Sequence, residues 1–263
     1  MTITVHLVRH AQGFHNLNVP NQQIPDPYLT ATGKEQCAAL RASFPHHDRL
    51  THLVASPMRR TLQTCEQSFR PAVDAGLKVV AQPLVQEVST LPCDVGSEPE
   101  VLAAEFGAWA DLAGVPKGWN DKTSPGSPWA PRVEALEERA RKARVWLREL
   151  GRKSKAEGRG DSADIVVTSH GGFLHFLTQD WDGMDLTRGM MRTGWDNTEY
   201  RSYEFDDPEG DDSEARIHET KPSWRRRRGS AIGLTSTEQQ QMRAVVIEAY
   251  KQEFGYANET AAE

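Results

Sequence analysis

Residues 164–177, DIVVTSHGGFLHFL, pass without a gap from an apolar run, through a His-Gly-Gly turn, into a second apolar stretch of helical character. The first run has the composition of a strand buried on both faces, as in a parallel sheet. A similar strand opens the chain, where Ile3, Val5 and Leu7 share one face and the segment ends in Arg9-His10. Both strands therefore deliver polar side chains to a carboxyl edge, which is where open α/β sheets bind ligands. Working outward, strands are expected at 52–55 and 77–81. Helices are expected from Thr30 or Thr32 to about Phe44, from Ser56-Pro57 until Pro71 stops it, and over 133–150 with Gly151 ending it. Strands separated by helices imply an α/β fold of three layers, a mostly parallel sheet with helices on both faces.

Between 91 and 131 the composition shifts toward Pro, Gly, Trp and acidic residues around one helix at 98–110, which reads as a lid-type insertion. The polar stretch RKSKAEGRGDS, 152–162, reads as a solvated loop. A strand at 200–205 precedes an acidic loop at 206–214. Residues 206–263 read as a C-terminal extension ending in an amphipathic helix, with a Thr235/Glu238 capping box and Met242, Val245, Val246 and Ala249 on one face. The whole of 1–263 reads as a single domain.

The formal net charge is −6, and the chain is 38% hydrophobic and 26% charged, enough for one substantial core. That balance argues against a general nucleic-acid binder, and no apolar run is long enough for a membrane span. Cys37, Cys65 and Cys93 form no CxxC pair and are odd in number, as expected of buried reduced thiols in a cytoplasmic protein. The pair His46-His47 lacks further ligands, so no metal is expected. The one dense basic run, RRRR at 225–228, could meet a polyanion, but an acidic run at 206–214 makes neutralisation within the chain the better expectation.

Arg9-His10 and His170-Gly171-Gly172 bring two imidazoles, a guanidinium and a helix start to one sheet edge, provided the strands are neighbours. Each suits a phosphoryl group: neutral imidazole is a nucleophile, Arg presents a planar fork, and helix-start N–H groups favour an anion. The motifs LVRHAQGFHN (7–16), DPYLTATG (26–33), VASPMRRTLQT (54–64) and VTSHGGFL (167–174) occur in the order that resembles the histidine phosphatase superfamily, the phosphoglycerate mutase-like fold.

The resemblance implies a role for each matching residue. His10 corresponds to the histidine phosphorylated during turnover, and Arg9 and Arg60 to phosphate-pocket arginines, leaving Arg59 as a solvated charge. His170 corresponds to the second pocket histidine, with Gly171 at the phosphate-binding turn. Glu87 in PLVQE lies where the family carries its proton donor, and Asn16 matches a position that contacts phosphate or substrate. The implied activity is that of a phosphomonoesterase acting through phosphohistidine on a small organic phosphate, with no cofactor, the arginines supplying the charge a metal would. A mutase is the alternative, as is a catalytically silent binding member of the fold. The region NQQIPDPYLT lacks the Gly-Trp-x-Asp stretch of family mutases, and the insertion is acidic rather than basic, which favours hydrolysis; Ala11, where many members have Gly, is a conservative departure. On the substrate side, His15 could line the mouth, and Trp109, Trp119 and Trp129 could form an apolar wall, although core packing is the more common use of such tryptophans. Oligomeric state is not readable.

Overall fold

The computed structural model describes residues 2–156, 161–184 and 193–254. In chain order these form β1 (Thr2–Arg9), α1 (Ala31–Ser43), β2 (Leu50–Ala55), α2 (Arg59–Ser68), α3 (Arg70–Asp74), β3 (Val79–Ala81), α4 (Pro99–Phe106) and β4 (Ala110–Asp111). There follow α5 (Val133–Ala156), β5 (Ser162–Ser169), α6 (Gly171–Thr178), β6 (Tyr200–Phe205), β7 (Ile217–Glu219), α7 (Lys221–Arg228) and α8 (Ser236–Phe254). The sheet order is β4-β3-β2-β5-β1-β6-β7. The first five of these strands run parallel, and β6 and β7 are antiparallel additions at one edge.

Alternation along the central strands sends successive side chains into two separate cores. Ile3, Val5, Leu7, Ile165 and Val167 pack with apolar residues of α5, α6 and α8, whereas Val8, Val166, Leu53 and Ala55 pack with those of α1, α2 and α4. This is the three-layer α/β arrangement expected from the strand and helix order. In α5 the buried face is Val133, Leu136, Ala140, Ala143 and Leu147.

Several boundaries differ from the sequence reading. Ser56-Pro57 does not open a helix: α2 starts at Arg59, whose backbone N–H donates to Asp26 Oδ1 at 3.0 Å, a cap supplied from far away in sequence. Pro71 does not end a helix but sits at the start of α3. Gly151 does not end α5, which continues to Ala156; a Cβ there would meet the Ile3 side chain at 2.8 Å, so this glycine permits helix–sheet contact. The loop expected over 152–162 is therefore helical in its first part, and 157–160 lie outside the described residues. In α8 the buried side chains are Val246, Ile247 and Tyr250, while Val245 is exposed. The Thr235/Glu238 capping box forms as expected.

The 91–131 segment adds α4 and the short edge strand β4, which replaces the last turn of the helix expected there. The basic run occupies the end of α7. Its partners are Glu219, Asp180 and Glu199 for Arg227 and Asp182 for Arg228, so neutralisation is internal but does not use the 206–214 run. Among the described residues no helix is long and apolar enough to cross a membrane.

Candidate active site

Pairing of β1 with β5 places Arg9 opposite Ser169, and the His10 N–H donates to the Ser169 carbonyl at 2.9 Å. The two histidine motifs therefore meet at the carboxyl edge, with the His10 and His170 rings 5.2 Å apart and the His10 and His15 rings 5.4 Å apart. Thr64 of α2 accepts from Ala11 N at 3.0 Å, and Asn197 donates to the His10 carbonyl at 2.8 Å, fixing the backbone around His10.

His10 is buried and its Nδ1 lies 2.7 Å from the Ala11 carbonyl, which can only accept. The proton thus belongs on Nδ1 and the Nε2 lone pair is free. Burial, reinforced by Arg60, His15 and Arg9, holds His10 well below the ordinary histidine range, so the ring is neutral at pH 7. His15 is pushed down to about 3, chiefly by burial and then by Arg60.

Arg60 is wholly enclosed. Its Nη1 donates to the Cys93 carbonyl at 2.6 Å, and its Nη2 to Asp94 Oδ1 at 2.8 Å and to His170 Nδ1 at 3.0 Å. His170 Nε2 in turn bonds Ser56 Oγ at 2.9 Å. Both ring nitrogens of His170 are thereby engaged, and in this arrangement it orients Arg60. Arg9 donates from Nη1 to the Trp195 carbonyl. The Nε–H groups of Arg9 and Arg60 are buried without an acceptor. Arg139, Arg148 and Arg201 also carry buried guanidinium nitrogens without an acceptor; those of Arg9 and Arg60 lie beside His10 at the carboxyl edge of the sheet, where they suit an anion.

Glu87 sits at the start of α6. Oε1 accepts from Val88 N and Phe173 N, both at 2.9 Å, and Oε2 from Gly172 N at 3.3 Å. Gly172 is required for this approach, since a Cβ there would lie 2.7 Å from Glu87 Oε1. Burial, then the nearby Asp94 charge, raises the Glu87 carboxyl above its usual range. For Asp94 burial acts in the same upward direction, but Arg60 and Lys122 outweigh it and keep that carboxyl below the usual range. Two carboxyls in one pocket are thus shifted in opposite directions, Glu87 toward the protonated form and Asp94 toward the anion.

His10, His170, Arg9, Arg60, His15 and Glu87 come together as a cluster. Other expected residues have different surroundings. The Asn16 amide oxygen accepts from Gly13 N at 3.0 Å and shapes the turn. The helix start after Gly171 receives the Glu87 carboxyl, and a Cβ at Gly171 would collide with Thr193. Trp119 is fully buried beneath Gly96 and belongs to the core, and Trp109 and Trp129, partly buried, pack against the same core. Arg59 is not a solvated charge: it pairs with Glu105 and Asp26 and lies over the Tyr28 ring. His46 and His47 belong to an aromatic cluster around Phe44. The sequence reading missed Asp94, Lys122, Arg139 and Asn197, and took Ser56, inside the 54–64 motif, for a helix cap rather than a partner of His170. Only the PCD sequence at 92–94, just beyond Glu87, could have drawn attention to Asp94.

The profile of the histidine phosphatase superfamily (branch 1) matches residues 5–211. A phosphoglycerate mutase-like protein of Arabidopsis thaliana is 27% identical over 242 residues, spanning 76% of this chain and 83% of its own. Among solved structures, the ecdysone phosphate phosphatase from Bombix mori in complex with tungstate is similar with a TM-score of 0.52 and 13% identity, over 76% of this chain and 88% of that one. The phosphoglycerate mutase from Bacillus anthracis str. Sterne gives a TM-score of 0.51 at 13% identity, over 83% and 92%. At such identities the structures speak for the fold alone, but the profile spans the motifs from β1 to β6. The chain belongs to the histidine phosphatase superfamily, branch 1.

Proposed function

We propose that the protein is a phosphomonoesterase that works without a metal through phosphohistidine at His10, on a small organic phosphate. The observation that carries this reading is a neutral His10 with a free Nε2 beside the buried, unaccepted Nε–H groups of Arg9 and Arg60. His10 Nε2 attacks phosphorus, the P–O bond to the leaving group breaks, and Glu87 gives its proton to the departing oxygen. Arg9 and Arg60 offset charge on the phosphoryl oxygens, and His170 holds Arg60 in place. In the second step Glu87, now a carboxylate, takes a proton from water as the water oxygen attacks phosphorus. The P–N bond breaks and inorganic phosphate leaves. Three buried free thiols fit a reducing compartment such as the cytoplasm.

The test is phosphate release from sugar, glycerate, nucleotide, aryl and lipid phosphates with EDTA present, for the wild type and His10→Ala, with trapping of acid-labile phosphoprotein. Release and trapping confined to the wild type are expected. Transfer of phosphate between glycerate hydroxyls without net release would turn the reading to a mutase. A folded wild type that neither releases nor transfers phosphate would turn it to a silent binding protein.

A further inference from the structure

Lys122 is a cation in an unexpected place. It comes from the 91–131 segment, is 2% exposed, and donates from Nζ to the carbonyls of Glu87 at 2.8 Å and Ser89 at 2.9 Å. Removing an ammonium from water is costly, and such a group persists only where its environment uses it. The backbone it grasps carries the pocket's acid. Arg139 of α5, lying over the Phe173 ring, also donates to this stretch, to the carbonyls of Gln86 at 2.8 Å and Glu87 at 3.4 Å. The Gln86 amide also reaches into the insertion, donating to the Trp119 carbonyl at 3.0 Å. Residues 86–89 are therefore held between the insertion and α5, while the Glu87 carboxyl is pinned to α6.

We propose that Lys122 is a positioning residue for Glu87, through which docking of the 91–131 segment fixes the 87–89 backbone and places the acid against the leaving group. The functional half of this inference rests on the hydrolase reading above. The need for such a clamp is geometric: a displacement of about 1 Å at a reacting group can cost ~100-fold in rate. The charges around Lys122 support a tuned site. Asp94 and Glu87 attract it, Arg139 and Arg60 repel it, and burial, the largest influence, brings its ammonium down to about 7.

The experiment compares the wild type, Lys122→Met and Lys122→Arg on two esters, 4-nitrophenyl phosphate, whose leaving group needs no proton, and glycerol 2-phosphate, whose alkoxide does. Lys122→Met is expected to lower kcat on glycerol 2-phosphate about 10- to 100-fold and on 4-nitrophenyl phosphate less than about 3-fold, with the basic limb of the pH profile displaced for glycerol 2-phosphate. Lys122→Arg should recover much of the loss. Amide hydrogen exchange of the whole protein without substrate should show residues 86–89 opening faster in Lys122→Met. If Lys122→Met does not fold, Lys122→Gln, which keeps two donors, takes its place. An equal loss on both esters, no loss, or unchanged exchange at 86–89 would overturn the proposal. Should the wild type release phosphate from no ester of the panel above, the hydrolase reading fails, and exchange at 86–89 alone decides whether Lys122 places Glu87.

Discussion

Two groups of arginines in this molecule differ in their spacing along the chain and in what surrounds them. Arg225, Arg226, Arg227 and Arg228 are dense in sequence, but Arg227 and Arg228 face Glu219, Asp180, Glu199 and Asp182, and Arg226 lies over Tyr200 and donates to its carbonyl. Arg9 and Arg60 are far apart in sequence, yet the sheet register and α2 bring both to His10, where each keeps a buried Nε–H without an acceptor. Charge density along the chain therefore does not locate the pocket; Arg139, Arg148 and Arg201 also keep buried nitrogens without an acceptor, so what sets Arg9 and Arg60 apart is their place beside His10 at the carboxyl edge of the sheet.

The most severe break of this comparison is Arg60→Met. It removes the pocket cation and leaves Asp94 buried without its partner, for which a loss of about 3–5 kcal/mol in stability is expected. Phosphatase activity should vanish with it. Denaturant unfolding and phosphate release check the two effects, and a stable, active variant would show that the Arg60–Asp94 pair is dispensable. Next is Glu87→Gln, which keeps the shape but cannot give up a proton. A loss of about 100- to 10,000-fold is expected on alkyl phosphates and far less on nitrophenyl esters. Because the Glu87 carboxyl is raised, the wild type holds the proton to higher pH than an ordinary glutamate, and its alkyl-ester activity should fall as pH rises through that raised value; the variant should lack this limb.

The histidines supply a third test, in stability. His10, His170 and His15 are all depressed by burial in the folded protein, so unfolding takes up protons below about pH 6.5. Their contribution is complete above that value and declines as pH falls, for His15 across the interval down to about 3. One such group costs about 2 kcal/mol of stability between pH 7 and pH 5. The raised Glu87 works in the opposite sense, since its folded form favours the proton, so Glu87→Gln should steepen the loss of stability on acidification. Chemical denaturation at pH 7 and pH 5 for the wild type, His15→Phe and Glu87→Gln measures both signs.

What the sequence disclosed follows the same division. His10, Arg9, His170 and Arg60 sit at strand ends or at the first turn of a helix, so alternation and turn chemistry place them before any contact is known. Glu87 and the four motifs lie in the same frame. Asp94, Lys122 and Arg139 were not legible because their roles arise from burial between segments more than 25 residues apart in some cases, as in Lys122 with Glu87 at a separation of 35. The failures at Ser56 and Gly151 have a common cause. Local cap and breaker signals were overridden by tertiary partners, His170 for Ser56 and Ile3 for Gly151.

The mildest perturbation tests the other side of the comparison. Arg228 has a 39% exposed side chain paired with an equally accessible Asp182, and exposed pairs are worth little because water screens both partners. Arg228→Ala should change stability by no more than about 0.5 kcal/mol and leave turnover unaltered. Arg227 is the sharper control, since its guanidinium is 11% exposed and shared among Glu219, Asp180 and Glu199. Its removal leaves Glu219 without its ion-pair partner, whereas Asp180 and Glu199 keep Arg201, and should cost more stability than loss of Arg228, still without touching turnover. A fall in kcat for either variant, with the fold intact, would mean that α7 acts on the pocket and that the two arginine groups are less independent than their contacts imply.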